Sequence, residues 1–172
     1  SLVAAVFLLA VSAAAGDFIA ASCRTTTYPA VCIRSLQAYA STIQKNRQQL
    51  VSAALAVSLQ RSRSAKAFVS NLAIGSGLSP RERAAARDCV QQVADSVDRV
   101  SSSIREMRVL RTGDYAWHVS NLQTWMSAAI TDYNGCMDGF SGRVLRGPVS
   151  DSVRVWMVNS IQVASNALAL CN

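Results

Sequence analysis

The stretch from Ser79 to Met107 reads SPRERAAARDCVQQVADSVDRVSSSIREM, and it decides the fold. Ser79 stands directly before Pro80, and Glu82 follows Ser79 by three residues. A serine hydroxyl that accepts a backbone N–H and a glutamate that reaches back make a reciprocal helix cap. Proline suits the first helical position because its missing N–H would have had no partner there. Behind this start, Val90, Val93, Val97, Val100, Ile104 and Met107 recur at alternating steps of three and four. That spacing draws one apolar stripe along a helix, in the heptad pattern of helices packed side by side. A strand would alternate every second residue, and no segment of the chain does so cleanly.

The same pattern recurs on both sides. Before the break GSGLSP (Gly75 to Pro80), a helix is expected from Asn46 to Ile74, with Leu50, Ala54, Val57, Ala65, Phe68 and Leu72 on a face that Arg61 interrupts. After the break RTGD comes a third helix, with Val119, Leu122, Met126, Ala129, Tyr133 and Cys136 in the same alternation. The run DGFSGRVLRGPVSD holds three glycines and Pro148 and reads as a loop. A fourth helix is expected from Ser150 to Leu170, with Val153, Met157, Ile161, Ala164 and Leu168 inward. Ala54, Ala129 and Ala164 at seam positions permit close approach. Four amphipathic helices with short links predict an all-α, up-down-up-down four-helix bundle over residues 46–172. Each has a polar face, which argues against membrane spans.

At the front, Leu2 to Ala15 is apolar and uncharged, and shorter than the ~20 residues of a comfortable span. It ends in Ser12, Ala13, Ala14 and Ala15. This is the pattern of a secretory signal, here residues 1–16 without its initiator Met or basic start, so the mature chain is expected to begin near Gly16 or Asp17. The chain of 172 residues then leaves one domain, 17–172. Its first part, 17–41, contains CRTTTYPAVC (Cys23 to Cys32). Tyr28-Pro29 ends one helix, because the residue before a proline is pushed out of the helical region, and Pro29 opens another. Two short helices folded into a hairpin bring Cys23 and Cys32 together.

Secretion favours oxidised cysteines, and there are five: Cys23, Cys32, Cys89, Cys136 and Cys171. Two bridges and one spare thiol is the simplest count. Cys89 lies near the start of the second bundle helix and Cys136 at the end of the third. Those ends are neighbours in an antiparallel pair. By chain entropy a Cys89–Cys136 bridge stabilises by about 4 kcal/mol and a Cys23–Cys32 bridge by about 2.7. Cys171 falls on the inward stripe of the fourth helix, as a buried or terminal thiol.

Net charge is +7 and the pI is about 9.6. Such a chain suits nucleic acid, an anionic membrane or an acidic polysaccharide, and secretion removes the first. His118, the one histidine, has Asp114 four residues before it but no nucleophile in the pattern, and a structural or surface role is expected. No cysteine or histidine cluster has zinc spacing, and no glycine-rich phosphate loop follows a strand, so neither metal nor cofactor is expected. Asp95 and Asp98 share a helix face, which offers no cleft to shift their pKa values toward acid–base work. A secreted, bridge-braced bundle without a catalytic site acts by contact.

These motifs resemble the plant invertase and pectin methylesterase inhibitor family. CRTTTYPAVC is similar to its N-terminal cysteine hairpin. CVQQVADSVDRV is similar to its second bundle helix, with acids six and nine residues after the cysteine. WMSAAI with CMDGF is similar to its third helix, and SNALAL to the end of its last. The resemblance spans essentially the whole mature chain. It implies the hairpin and bundle, the same two bridges, and a secreted cell-wall (apoplastic) protein that blocks an enzyme's substrate cleft one to one.

The branch that inhibits acid invertase resembles a subset with a Pro-Lys-Phe segment. Here Pro29, Pro80 and Pro148 are followed by Ala30, Arg81 and Val149, so the expected partner is pectin methylesterase, with acid invertase the alternative. The resemblance places Asp95 and Asp98 against the esterase. It also puts Gly135 on that surface, where the family carries Thr, and Val93 where it carries an aromatic. A catalytic domain can follow this one in the family, and a free-standing inhibitor is the expectation here. Weak association with acidic pectin is a further expectation, through Arg61, Arg63 and Lys66 on the first long helix and Arg105, Arg108 and Arg111 on the second.

Overall fold

The computed structural model describes the backbone of residues 2–110 and 113–172, and side chains from Ala13 onward within those ranges. Its helices are α1 (Leu2–Cys23), α2 (Pro29–Leu36), α3 (Ala40–Ile43), α4 (Arg47–Ile74), α5 (Pro80–Val109), α6 (Tyr115–Gly139) and α7 (Pro148–Leu170). Single 3₁₀ turns cover Gln37–Tyr39 and Arg143–Leu145. The long helices α4 to α7 pack in a ring, each on its two neighbours in chain order and α7 back on α4. This is the expected up-down-up-down bundle. The hairpin of α1 to α3 lies against α4 and α7.

Local chemistry sets the helix ends. The Ser79–Glu82 box forms as its spacing predicts: Ser79 Oγ accepts from Glu82 N–H at 3.2 Å, and Ser79 N–H donates to Glu82 Oε2 at 2.8 Å. Asn46 Oδ1 caps α4 through Gln49 N–H at 3.1 Å. Arg83 reaches back from α5 to the carbonyls of Ala73 (3.0 Å) and Gly75 (3.1 Å), closing the end of α4. The chain turns between them at Gly77, whose φ of 89° is one glycine takes without a Cβ clash. Asp114 caps α6 through Trp117 N–H at 3.3 Å, so α6 starts at Tyr115, one turn before the apolar seam begins. Likewise α7 starts at Pro148 rather than Ser150, and α6 runs on to Gly139, so the expected loop is shorter than its composition suggests.

The core differs from the apolar reading in a systematic way. On α5, Val93 and Val100 are fully buried, but Val90, Val97 and Ile104 are only half-buried. The deep positions between them belong to Cys89, Ser96 and Ser103. A helical serine can sit there because its hydroxyl returns to the carbonyl four residues back and stays paired. Ser96 Oγ lies 3.3 Å from Gln92 O and 3.2 Å from Ala129 O on α6. Ser103 Oγ lies 3.2 Å from Arg99 O and 3.3 Å from Leu122 O. Small side chains thus let α5 and α6 approach closely, which a seam of valines would prevent.

The same substitution recurs on the other helices. Ser58 and Ser62 on α4 and Ser160 on α7 are buried, while Val57, Phe68, Leu72, Val119, Ile161 and Leu168 are half-buried flanks. Phe68 stacks on Trp156 at 5.1 Å between α4 and α7. Tyr133, fully buried on α6, meets Ser62 Oγ with its hydroxyl. Burial pushes its phenol up, and hydrogen bonds to Ser62 and Ser96 partly offset that.

Both expected bridges form: Cys23–Cys32 with Cα atoms 5.6 Å apart, and Cys89–Cys136 with Cα atoms 4.5 Å apart. The first arm of the hairpin is longer than expected, because α1 continues across Gly16 into the apolar run. One glycine costs only about 1 kcal/mol in a helix, and alanines surround it here. The expected signal, 1–16, falls mostly on side chains outside the described residues. Beyond it, Ile19, Cys23, Cys32, Leu36 and Ile43 are buried. Asn166 of α7 holds the turn of the hairpin: its Oδ1 accepts from Tyr28 N–H and its Nδ2 donates to Tyr28 O, each at 2.9 Å.

Candidate contact face on α5 and α6

Asp95 and Asp98 lie on α5, with Val93, Ser96 and Val100 turned into the core between them. Asp98 is exposed, and Asp95 is half-buried and accepts from Gln91 Nε2 at 3.1 Å. Beside them Arg99 Nε pairs with Asp132 Oδ2 of α6 at 2.6 Å. With Asp95 and Asp98 on the same stretch of α5, these residues carry three carboxylates and one guanidinium, so the patch is acidic on a chain of net charge +7. The Cys89–Cys136 bridge fixes the adjoining ends of both helices, so the patch is held in place before any partner arrives.

Gly135, half-buried on α6, sits next to Cys136 and beneath Gln92 of α5. A Cβ at Gly135 would stand 3.1 Å from Gln92 Nε2 and 3.3 Å from its Oε1. Gln92 therefore occupies the space a β-branched residue would need. Its buried Oε1 has no hydrogen-bond partner. The structure thus brings Asp95, Asp98 and Gly135 to one pair of helices and adds Gln92, Arg99 and Asp132, which spacing alone does not single out.

Among the described residues no three histidine, cysteine, aspartate or glutamate side chains gather as a metal site. His118 is engaged by Glu106 of α5, Nδ1 to Oε2 at 2.7 Å, and not by Asp114, which is spent on capping α6. Asn121 Nδ2 also reaches Glu106, at 3.4 Å. Cys171 is free and half-buried, with its thiol pushed up to about 12 by burial and donating to Ala167 O at 3.1 Å. A thiol in that state is a poor nucleophile at neutral pH. Of the basic residues, Arg63, Lys66, Arg105 and Arg108 are exposed and Arg61 is half-buried; Arg111 lies outside the described residues.

Sequence reasoning misses Asn166 and Arg47. Arg47 sits at the first turn of α4 and donates to the Leu170 and Asn172 carbonyls at the end of α7. Asn166 carries a signal in hindsight, being an amide at an inward position of an otherwise apolar repeat. Arg47 carries none, because its contact is 123 residues away.

The profile of the family described as plant invertase/pectin methylesterase inhibitor matches residues 17–170. A "21 kDa protein" of Daucus carota is 50% identical over 171 residues, covering 97% of this chain and 89% of its own length. Pectinesterase inhibitor 11 of Arabidopsis thaliana is 45% identical over 160 residues, covering 91% of this chain and 79% of its own. In three dimensions the chain is similar to the crystal structure of a mutant form of a pectin methylesterase inhibitor from Arabidopsis. That likeness has a TM-score of 0.69 at 19% identity, over 87% of this chain and 92% of that one. The serine-lined bundle, its α5–α6 bridge and its capped hairpin are accordingly the fold of an inhibitor family, and this chain belongs to the plant invertase/pectin methylesterase inhibitor family.

Proposed function

We propose that this protein inhibits a pectin methylesterase, seating the α5–α6 face in the pectin-binding cleft as a one-to-one complex outside the cell. The observation that carries this reading is the 45% identity, across 91% of the chain, to a relative named as a pectinesterase inhibitor. The physical case is preorganisation. A bridge and a paired core fix both helices in advance, so little ordering remains at association. Asp95 and Asp98 contribute direct or water-bridged hydrogen bonds to the cleft rim. Two bridges suit an oxidising compartment, in keeping with removal of residues 1–16 as a signal.

The deciding experiment is a paired assay of the oxidised protein against pectin methylesterase and acid invertase. Inhibition of the esterase alone is the expected result, and inhibition of invertase alone overturns the reading. Asp95→Ala with Asp98→Ala is expected to weaken esterase inhibition at least tenfold, with the helical signal and unfolding midpoint kept. A folded double variant that inhibits in full removes both residues from the contact face.

A further inference from the structure

On the other side of α5, away from Asp95 and Arg99, lies a groove of about 560 Å³ shared with α4. Leu55, Leu59, Ile104 and Met107 form its apolar floor, and Arg63 of α4 and Arg108 of α5 stand on its opposite walls. Both arginines are exposed, and among the described residues neither is in an ion pair. No carboxylate lines the groove, and α4 has no aspartate or glutamate anywhere between Arg47 and Ile74. Lys66 and Arg105, also exposed, extend the same sign of charge along the two helices. The groove thus carries positive potential, opposite in sign to the patch around Asp98.

We propose that this groove binds an anionic polysaccharide with one carboxylate per sugar ring, the chemical class of de-esterified pectin. The match is of two kinds. Sugar rings present C–H faces that suit an apolar floor, while guanidinium groups on both walls meet carboxylates of successive rings, each with the planar fork that pairs with a carboxylate. Gln60 and Ser64, which also line the groove, supply amide and hydroxyl groups for ring hydroxyls. The choice of a uronate chain over another polyanion rests on the proposed function, since a methylesterase leaves such carboxylates as its product. An inhibitor that holds this polymer by one face and the enzyme by another would gather where the enzyme has worked.

The test uses the oxidised full chain with no enzyme present. Binding to a size-defined de-esterified oligogalacturonate and to its fully methyl-esterified form is measured by calorimetry at low salt and at 0.5 M salt. Saturable binding of the de-esterified oligomer is expected, at least tenfold tighter than the ester and weakened by salt. Arg63→Gln with Arg108→Gln is expected to lose tenfold or more, and Ser64→Glu to lose binding by placing a carboxylate in the groove. Arg81→Gln with Arg87→Gln removes equal charge from the start of α5 and is expected to keep it. An equal loss in both double variants, or equal affinity for poly-glutamate, shows undirected attraction to polyanions and overturns the proposal. So does equal binding of the ester. Esterase inhibition by the Arg63/Arg108 variant is read separately and is expected to be unchanged, so a failed groove and a failed inhibitor give different results.

Discussion

The molecule uses two disulfides for different purposes. Cys23–Cys32 spans 9 residues and closes a turn inside the hairpin, whereas Cys89–Cys136 spans 47 and ties α5 to α6. The first leaves the hairpin's attachment to the bundle untouched. That attachment depends on buried Leu36 and Ile43 and on the paired hydrogen bonds between Asn166 and Tyr28. The second acts directly on the helices that carry Asp95, Asp98 and Gly135. The same bond is thus local reinforcement in one region and a constraint on the candidate contact face in the other.

Removing Cys89–Cys136 as a double serine variant has the largest expected effect. Chain entropy puts the loss at about 4 kcal/mol, against about 2.7 for the Cys23–Cys32 pair. Urea unfolding of the two variants reads the difference. If the comparison holds, the α5–α6 variant also loses inhibition under conditions where it remains folded, and the hairpin variant keeps it. The reverse order of inhibition would show that the hairpin, not the α5–α6 face, meets the enzyme.

Asn166→Ala comes next. It leaves the Tyr28 N–H and carbonyl without their partners, at a cost of about 2 kcal/mol. The loss should be regional: proteolysis near Thr25–Tyr28 speeds up while the bundle and its bridge stay protected. Uniform loss of protection would mean that hairpin and bundle unfold as one unit, and the contrast between the two regions would fail.

These two regions also differ in how far they could be read in advance. The capping box, the proline starts and the cysteine pairs are local or pairwise signals, and they carry the helix order, the bridges and the bundle. The acidic pair needed no more than a helical period to be put on one face. Apolar periodicity puts Val90, Val93, Val97, Val100, Ile104 and Met107 on the α5 seam alike, because it counts only apolar residues. Ser96 and Ser103 hold the inner positions through bonds to Ala129 and Leu122 on another helix, which no window along one segment contains. Gln92 over Gly135, Glu106 on His118 and Arg47 at the end of α7 were hidden for the same reason.

The smallest effect concerns the start of α5, where a cap rather than a bridge holds the chain. The Glu82 carboxyl is held below the ordinary value of 4.5, chiefly by the Ser79 backbone N–H and then by the Ser79 hydroxyl. A carboxyl whose folded value is lowered stabilises the fold above its unfolded value, and that contribution disappears as pH falls through the folded value. Glu82→Gln keeps an acceptor for the Ser79 N–H but loses the charge that favours a helix N-terminus. The variant should therefore unfold at slightly lower urea than the parent at pH 6, and the two midpoints should converge as pH falls from 4.5 through the carboxyl's lowered value. The bridge does not titrate, so the same acidification leaves the Cys89–Cys136 contribution intact. A gap between E82Q and parent that widens on acidification would mean that the capping carboxylate is not what anchors this end of α5.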